Sequence, residues 1–169
     1  MISLKNFKML INQIVINASP LIVLFKSEQA DLLPQLFSDI RLPTAVCDEI
    51  TATKDDRASQ QLPSTDWLRR IEIPIHPTIA AWDLGAGESS VLSFALTHPT
   101  YRAVLDDAAA RRCAQSLNIK TLGTGGVLIL AKRRGLIPSV SDRLVRLQQA
   151  GLWLSDRVIT LLRQEAGEP

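Results

Sequence analysis

Five polar side chains fall where sequence rules place the ends of elements: Asn17, Glu49, Glu88, Asp106 and Asp107. Asn17 closes the β-branched run Ile14, Val15, Ile16, and Glu49 stands on a helical stretch one residue ahead of the inward-facing Ile50. Glu88 belongs to the first turn of the helix after the segment LGAG, and Asp106 and Asp107 follow directly on YRAVL. In a parallel sheet the carboxyl ends of the strands share one edge, where an α/β fold presents its chemistry, so Asn17 and the aspartate pair can meet there. Two unit charges about 4 Å apart repel by roughly 4 kcal/mol at an effective dielectric of about 20. Acids crowded on one edge therefore need protons, arginines or a divalent cation, and Mg²⁺ or Mn²⁺ takes oxygen ligands.

Each residue also has an ordinary role available. Glu88 in a first turn favours the helix dipole, and Asp106 can be an N-cap. Asp107 and Arg111 are spaced for an i,i+4 ion pair, and Glu49 can decorate the surface beside Asp48. Singly the ordinary roles suffice; jointly the acids point to a cation. In the segment LGTGGV, Thr124 is placed to cap a helix beginning near Gly125, whose free N–H groups can hold a phosphate. A tight strand-to-helix turn accounts for the same residues. Ser19 can likewise cap the helix that follows Asn17, with Pro20 in its first turn. Ser19 and Thr124 are the candidate phosphate contacts. Basic pairs at Arg69–Arg70, at Arg111–Arg112 and along Lys132, Arg133 and Arg134 read mainly as solvated faces, one of which could take an RNA backbone.

The elements that must position these residues alternate. Ile14 to Ile16 form a strand buried on both faces. Helical patterning carries Leu21 to Phe25 onward and continues through EQADLLPQLF, with Leu32, Leu33, Leu36 and Phe37 on one face. The segment DIRLP is extended, and PTAVCDEITATK is a helix with Val46 and Ile50 inward. TKDDRASQQLPSTD is polar and reads as a mobile loop. WLRR leads into IEIPIH, an alternating strand whose Pro74 suits a sheet edge. A helix through Val91, Leu92, Ala95 and Leu96 precedes the strand YRAVL. The helix DDAAARRCAQSL and a strand within NIKTLGT follow. GGVLILAKRRGLI is a helix closed by Gly135 after a basic last turn. Two helices end the chain, the first marked by Leu144, Leu147 and Leu152, the second by Val158, Leu161 and Leu162. Strands alternating with helices predict one α/β/α domain with a mostly parallel central sheet.

At 169 residues, 46% hydrophobic and 21% charged, the chain fits one globular domain with a real core. A net charge of +2 excludes a polybasic coat protein and leaves nucleic-acid contact to a local patch. Cys47 and Cys113 are far apart, with no C-x-x-C pair, and read as two buried thiols. His76 and His98 each precede a proline and read as loop residues. Lys5 and Lys8 ahead of apolar residues imitate a signal peptide, but Asn12 and Gln13 break the run. No segment reaches the ~18 uninterrupted apolar residues of a membrane span, so a cytoplasmic chain without membrane contact is expected. Residues 1–13 read as an N-terminal extension and residues 14–169 as the domain.

The blocks INASPLIVL, LPTAVCDEI, DLGAGESSVLSFAL, VLDDAAARRCAQSLNIKTLGTGGVL and AKRRGLIPSV…LQQAGLWLSD resemble the PIN-domain superfamily over nearly the whole chain from Ile14. This superfamily comprises metal-dependent ribonucleases, including toxins of VapC-type toxin–antitoxin pairs; the nearest likeness is a bacterial PIN-like subgroup of unknown function. The resemblance implies an acid after the first strand, one on the following helix, one after a glycine-containing turn and one after a later strand. These fall on Asn17, Glu49, Glu88 and Asp107, with Asp106 as the adjacent alternative. It implies Mg²⁺ or Mn²⁺ held by Asn17, Glu88 and Asp106 or Asp107, with Glu49, Glu88 and Asp107 catalytic. RNA as substrate, an antitoxin protein as partner and a homodimer follow from the same likeness. Many large apolar residues on the early helices also suggest apolar surface for such a dimer. The departure is Asn17, where the family carries aspartate: an amide oxygen can ligate Mg²⁺ but brings no charge. A catalytically weak or inactive PIN-like module that binds RNA or protein is the alternative.

Overall fold

The computed structural model describes residues 11–53 and 56–169. The expected extension over residues 1–13 lies, for its first ten residues, outside the described residues. The first strand, β1 (Gln13–Ile16), is followed by α1 (Ala18–Lys26) and a short α2 (Leu32–Leu36). Next come β2 (Asp39–Pro43), α3 (Thr44–Ala52), α4 (Arg57–Gln61), a 3₁₀ turn (Leu62–Ser64) and β3 (Leu68–Ile71). A one-turn α5 (Pro77–Ala80) leads to the long α6 (Ala86–Thr97), then β4 (Arg102–Val104), α7 (Ala108–Ser116) and β5 (Thr121–Leu122). Three helices close the chain: α8 (Thr124–Arg133), α9 (Val140–Gln149) and α10 (Asp156–Glu165).

The five strands form one sheet in the order β3-β2-β1-β4-β5, and every pairing is parallel. Ile14, Val15 and Ile16 are wholly buried, as a central strand covered by helices on both faces requires. From β1 the chain steps to β2 on one side, and from β4 it steps to β5 on the other. The strand order thus reverses between β1 and β4, and the crevice outside their carboxyl ends is where such sheets bind ligands. Asn17 and Asp106 stand at the two lips of that crevice. Gly135, at φ +75°, takes the left-handed conformation that terminates α8, behind the basic Lys132 and Arg133.

Four expectations need correction. The helical pattern from Leu21 to Phe37 is broken, because Glu28 adopts φ 59° and ends α1 before α2 begins. The polar stretch read as a mobile loop contains α4, capped by Asp56 through the Ala58 N–H at 3.1 Å. Two apolar residues, Ala58 and Leu62, are buried there and anchor the segment despite its polar composition. Only Ile71 of the alternating IEIPIH belongs to the strand; β3 lies earlier, at the sheet edge, paired from Ile40↔Leu68 to Pro43↔Ile71. Beyond Pro43 the chain turns into α3, so Ile73 and Ile75 have no strand to join, and Pro74 has no N–H to give. Finally, Leu21, Leu24, Phe25, Leu32, Leu33, Leu36 and Phe37 are all buried in this chain's own core, so they supply no surface for a partner.

Cys47 and Cys113 are buried free thiols. His76 caps α5 by accepting the Thr78 N–H at 3.2 Å, and His98 stacks on Phe94 with centroids 4.0 Å apart. No described helix is long and apolar enough to cross a membrane.

Candidate functional site

Asn17 is fixed by its backbone before its side chain is considered. Its N–H donates to the Val104 carbonyl at 3.0 Å, tying the end of β1 to the end of β4, and its extended backbone starts α1. The side chain does not cap that helix. It points into the interior at 2% exposure, where Nδ2 donates to Glu88 Oε1 at 3.3 Å. A carboxylate only accepts, so the amide must turn its NH₂ to Glu88 and leave Oδ1 elsewhere. Oδ1 is buried and has no hydrogen-bond partner. An unpaired buried acceptor costs about 1–3 kcal/mol, and native proteins rarely leave one unused.

Glu88 is the one acid in the first turn of α6, where the helix dipole favours it. Glu49 reaches the same place from α3, its Oε1 accepting the Gly87 N–H at 2.9 Å. That N–H is one of the helix-terminal donors α6 cannot satisfy itself. The three side chains close around Gly87. A Cβ there would lie 2.6 Å from Glu49 Oε1 and 3.1 Å from Asn17 Oδ1, so any side chain at this position would push the Glu49 carboxylate off the Gly87 N–H. Gly87 is the site residue that sequence reasoning passed over; its signal was the GAGE turn itself.

A cavity of about 450 Å³ opens on this group, lined by Asn17, Glu49 and Glu88 and continuing along α1 past Ser19 to Lys26. Leu152, after α9, forms part of its wall. Lys26 also pairs with Asp56 at 3.3 Å while keeping 45% of its side chain exposed.

The two aspartates after β4 are engaged elsewhere. Asp106 accepts the Thr124 N–H through Oδ1 at 2.9 Å and the Thr124 hydroxyl through Oδ2 at 2.5 Å. Thr124 is therefore not a cap: Gly123 holds the N-cap position, and the Asp106 carboxylate occupies the helix start expected to face a phosphate. Asp107 is the N-cap of α7, accepting the Ala110 N–H at 2.9 Å, the role that the sequence suggested for Asp106. Neither aspartate is among the residues lining the cavity on Asn17. Among the described residues no three His, Cys, Asp or Glu side chains lie close enough together to hold a metal ion. Asn17, Glu49, Glu88 and Ser19 thus share one cavity; Asp106 and Thr124 hold each other; Asp107 holds α7.

Two acids elsewhere in the fold have lowered pKa values. The Arg41 guanidinium, bonded to Asp39, lowers that carboxyl's pKa against the opposing effect of burial. Lys132 first, then Ser141 and the Val140 and Ser141 N–H groups, pull Glu168 down to about 2.

A family model described as a PIN domain matches residues 13–168 of the chain. No curated protein and no solved structure matches it.

Proposed function

Because the chain belongs to the PIN-domain family, we propose that it is a metal-dependent ribonuclease acting as a toxin-like component of a toxin–antitoxin pair. One observation carries the reading. Three oxygen-bearing side chains from β1's end, α3 and α6 converge on one cavity, and Asn17 Oδ1 among them is buried without a partner. The donor set fits the group the family implies. Mg²⁺ is commonly held by one or two carboxylates and keeps several waters, and Glu49, Glu88 and Asn17 Oδ1 offer two carboxylates and a neutral oxygen. Bound there, Mg²⁺ or Mn²⁺ would polarise a phosphate oxygen and lower the pKa of a coordinated water.

The chain's own residues do the rest. Gly87 N–H holds Glu49 by Oε1 and fixes its carboxylate beside Asn17 Oδ1. Asn17 Nδ2 orients Glu88 and offsets part of its charge. Asp107 and Asp106 flank the β4 side of the crevice, with Asp107 exposed and able to approach a bound strand. Ser19, exposed in the first turn of α1, faces the cavity as a phosphate contact.

The same amide supports a second reading, a catalytically weak or inactive module that binds RNA or protein. Asn17 Nδ2 already does for Glu88 part of what a cation would do. The partner in either case is an antitoxin protein or a second copy of this chain in the cytoplasm. Exposed Trp153 and Leu161, at 84% and 48%, favour a partner surface at the carboxyl-terminal helices.

Incubation of the purified protein with single-stranded RNA and Mn²⁺ tests the two readings. Cleavage lost in Glu88→Gln supports the nuclease; RNA binding without cleavage in the natural protein supports the binding module.

A further inference from the structure

On the far side of the crevice from Asn17, α7 and β5 enclose a cleft of about 380 Å³ lined by Arg111, Arg112, Gln115, Ile119 and Thr121. Its charge is of one sign. No carboxylate lines it, whereas the cavities beside Arg146 and beside Arg57 both include Glu28. Neither Arg111 nor Arg112 has an ion-pair partner among the described residues. Asp107, four residues before Arg111, spends an oxygen on the Ala110 N–H, and Asp106 spends both on Thr124. The sequence spacing that promised an Asp107–Arg111 pair is therefore not realised, and both arginines are exposed residues.

The cleft also lies beside the candidate active site. A Cβ on Gly123 would stand 3.0 Å from Arg111 Nη1 and 3.3 Å from Asp106 Oδ1, which puts this guanidinium near Asp106, two residues beyond β4. Neighbouring strands lie about 4.8 Å apart, so β5 is roughly 10 Å from β1 across the same sheet edge. Arginine's planar fork suits a phosphate, and the Gln115 amide and Thr121 hydroxyl add uncharged polar groups beside it.

We propose that the Arg111–Arg112 cleft binds a backbone phosphate of single-stranded RNA next to the one presented at Asn17, Glu49 and Glu88. The cleft thereby sets the strand's path across the carboxyl edge. This rests on the ribonuclease reading. It is the nucleic-acid backbone rather than an acidic protein because the cleft is small and concave, with the apolar Ile119 as its buried wall.

The test is fluorescence anisotropy of labelled oligouridylate with the full chain in EDTA, where cleavage does not interfere, over a series of salt concentrations. Arg111→Gln/Arg112→Gln is expected to weaken binding at least tenfold at low salt. It should also flatten the slope of log K against log salt by about 0.7, the contribution of the one single-strand phosphate contact removed. Arg163→Gln on α10 serves as a control for loss of one surface charge, and Arg112→Gln alone covers the case in which Arg111 is needed for folding. Arg111→Lys should keep the slope and lose affinity. Unchanged affinity and slope in the double variant, no binding by the natural protein, or equal competition by polyglutamate would overturn the proposal. Cleavage with Mn²⁺ is scored separately. Binding that depends on the two arginines without cleavage would sink the nuclease and leave the cleft. Cleavage with arginine-independent binding would do the reverse.

Discussion

Asp106 takes both the N–H and the hydroxyl of Thr124, so the turn after β4 is bolted to the start of α8 beyond β5. Thr124 is wholly buried, and the bond is to a carboxylate, the stronger class of hydrogen bond. Thr124→Val keeps the shape and removes the hydroxyl, leaving Asp106 Oδ2 without its partner. A loss of about 1.5–3 kcal/mol is expected, read as a lower midpoint in urea at unchanged m-value. A midpoint equal to that of the natural protein would show the contact to be dispensable.

Asn17→Asp should act in opposite directions with and without metal. Without metal it replaces an Nδ2 donor by a second carboxylate facing Glu88, so the melting temperature should fall. With Mn²⁺ present the added charge should raise affinity at least tenfold, equivalent to about 1.4 kcal/mol, measurable by calorimetry. Ribonuclease activity should rise with it. If metal-free melting and Mn²⁺ affinity both stay where they were, Asn17 plays no part in a metal site.

The parallel sheet was readable because β1 and β4 are short β-branched or apolar runs between amphipathic helices. The strand order, β3-β2-β1-β4-β5, was not legible, because periodicity marks strands and says nothing of which lie side by side. The α4 segment was hidden because Ala58 and Leu62 are its two buried apolar anchors within an otherwise polar stretch. The shifted β3 was hidden because alternation in IEIPIH mimics a strand, while pairing depends on how far β2 runs alongside. At the site, Asn17 and Glu88 were legible as residues at element ends, and Glu49 as a helical acid beside the inward-facing Ile50. What spacing could not reveal was how neighbours spend the acids: Asp106 on Thr124, Asp107 on the Ala110 N–H.

Gly87→Ala tests the close approach of α6. Its new Cβ would meet Glu49 Oε1 at 2.6 Å, too near for any real contact, so Glu49 must leave the Gly87 N–H. Alanine is otherwise the better helix former, and an exposed position would gain stability from it. Here the lost Glu49 bond, about 1 kcal/mol, should offset that gain, leaving stability little changed while the displaced carboxylate weakens Mn²⁺ binding. A more stable protein with unaltered metal affinity would show that Glu49 has room elsewhere and that its placement beside Asn17 is incidental.

Glu168 should govern how the carboxyl-terminal helices respond to acid. Its carboxylate joins Lys132 of α8 to the Val140 and Ser141 N–H groups at the start of α9. These bonds hold its pKa near 2, below its usual 4.5, with Lys132 the largest influence. A group whose folded pKa is lowered stabilises the fold fully above its unfolded pKa, and that contribution disappears as pH falls through the folded value. Stability should therefore decline between about pH 4.5 and about pH 2 in part through this residue. Glu168→Gln should lower the melting temperature at neutral pH and lessen the decline across that window. The signature is the difference between the two proteins, since other carboxylates titrate in both. Parallel pH profiles, offset by a constant amount down to pH 2, would show that Glu168 contributes by shape and not by charge.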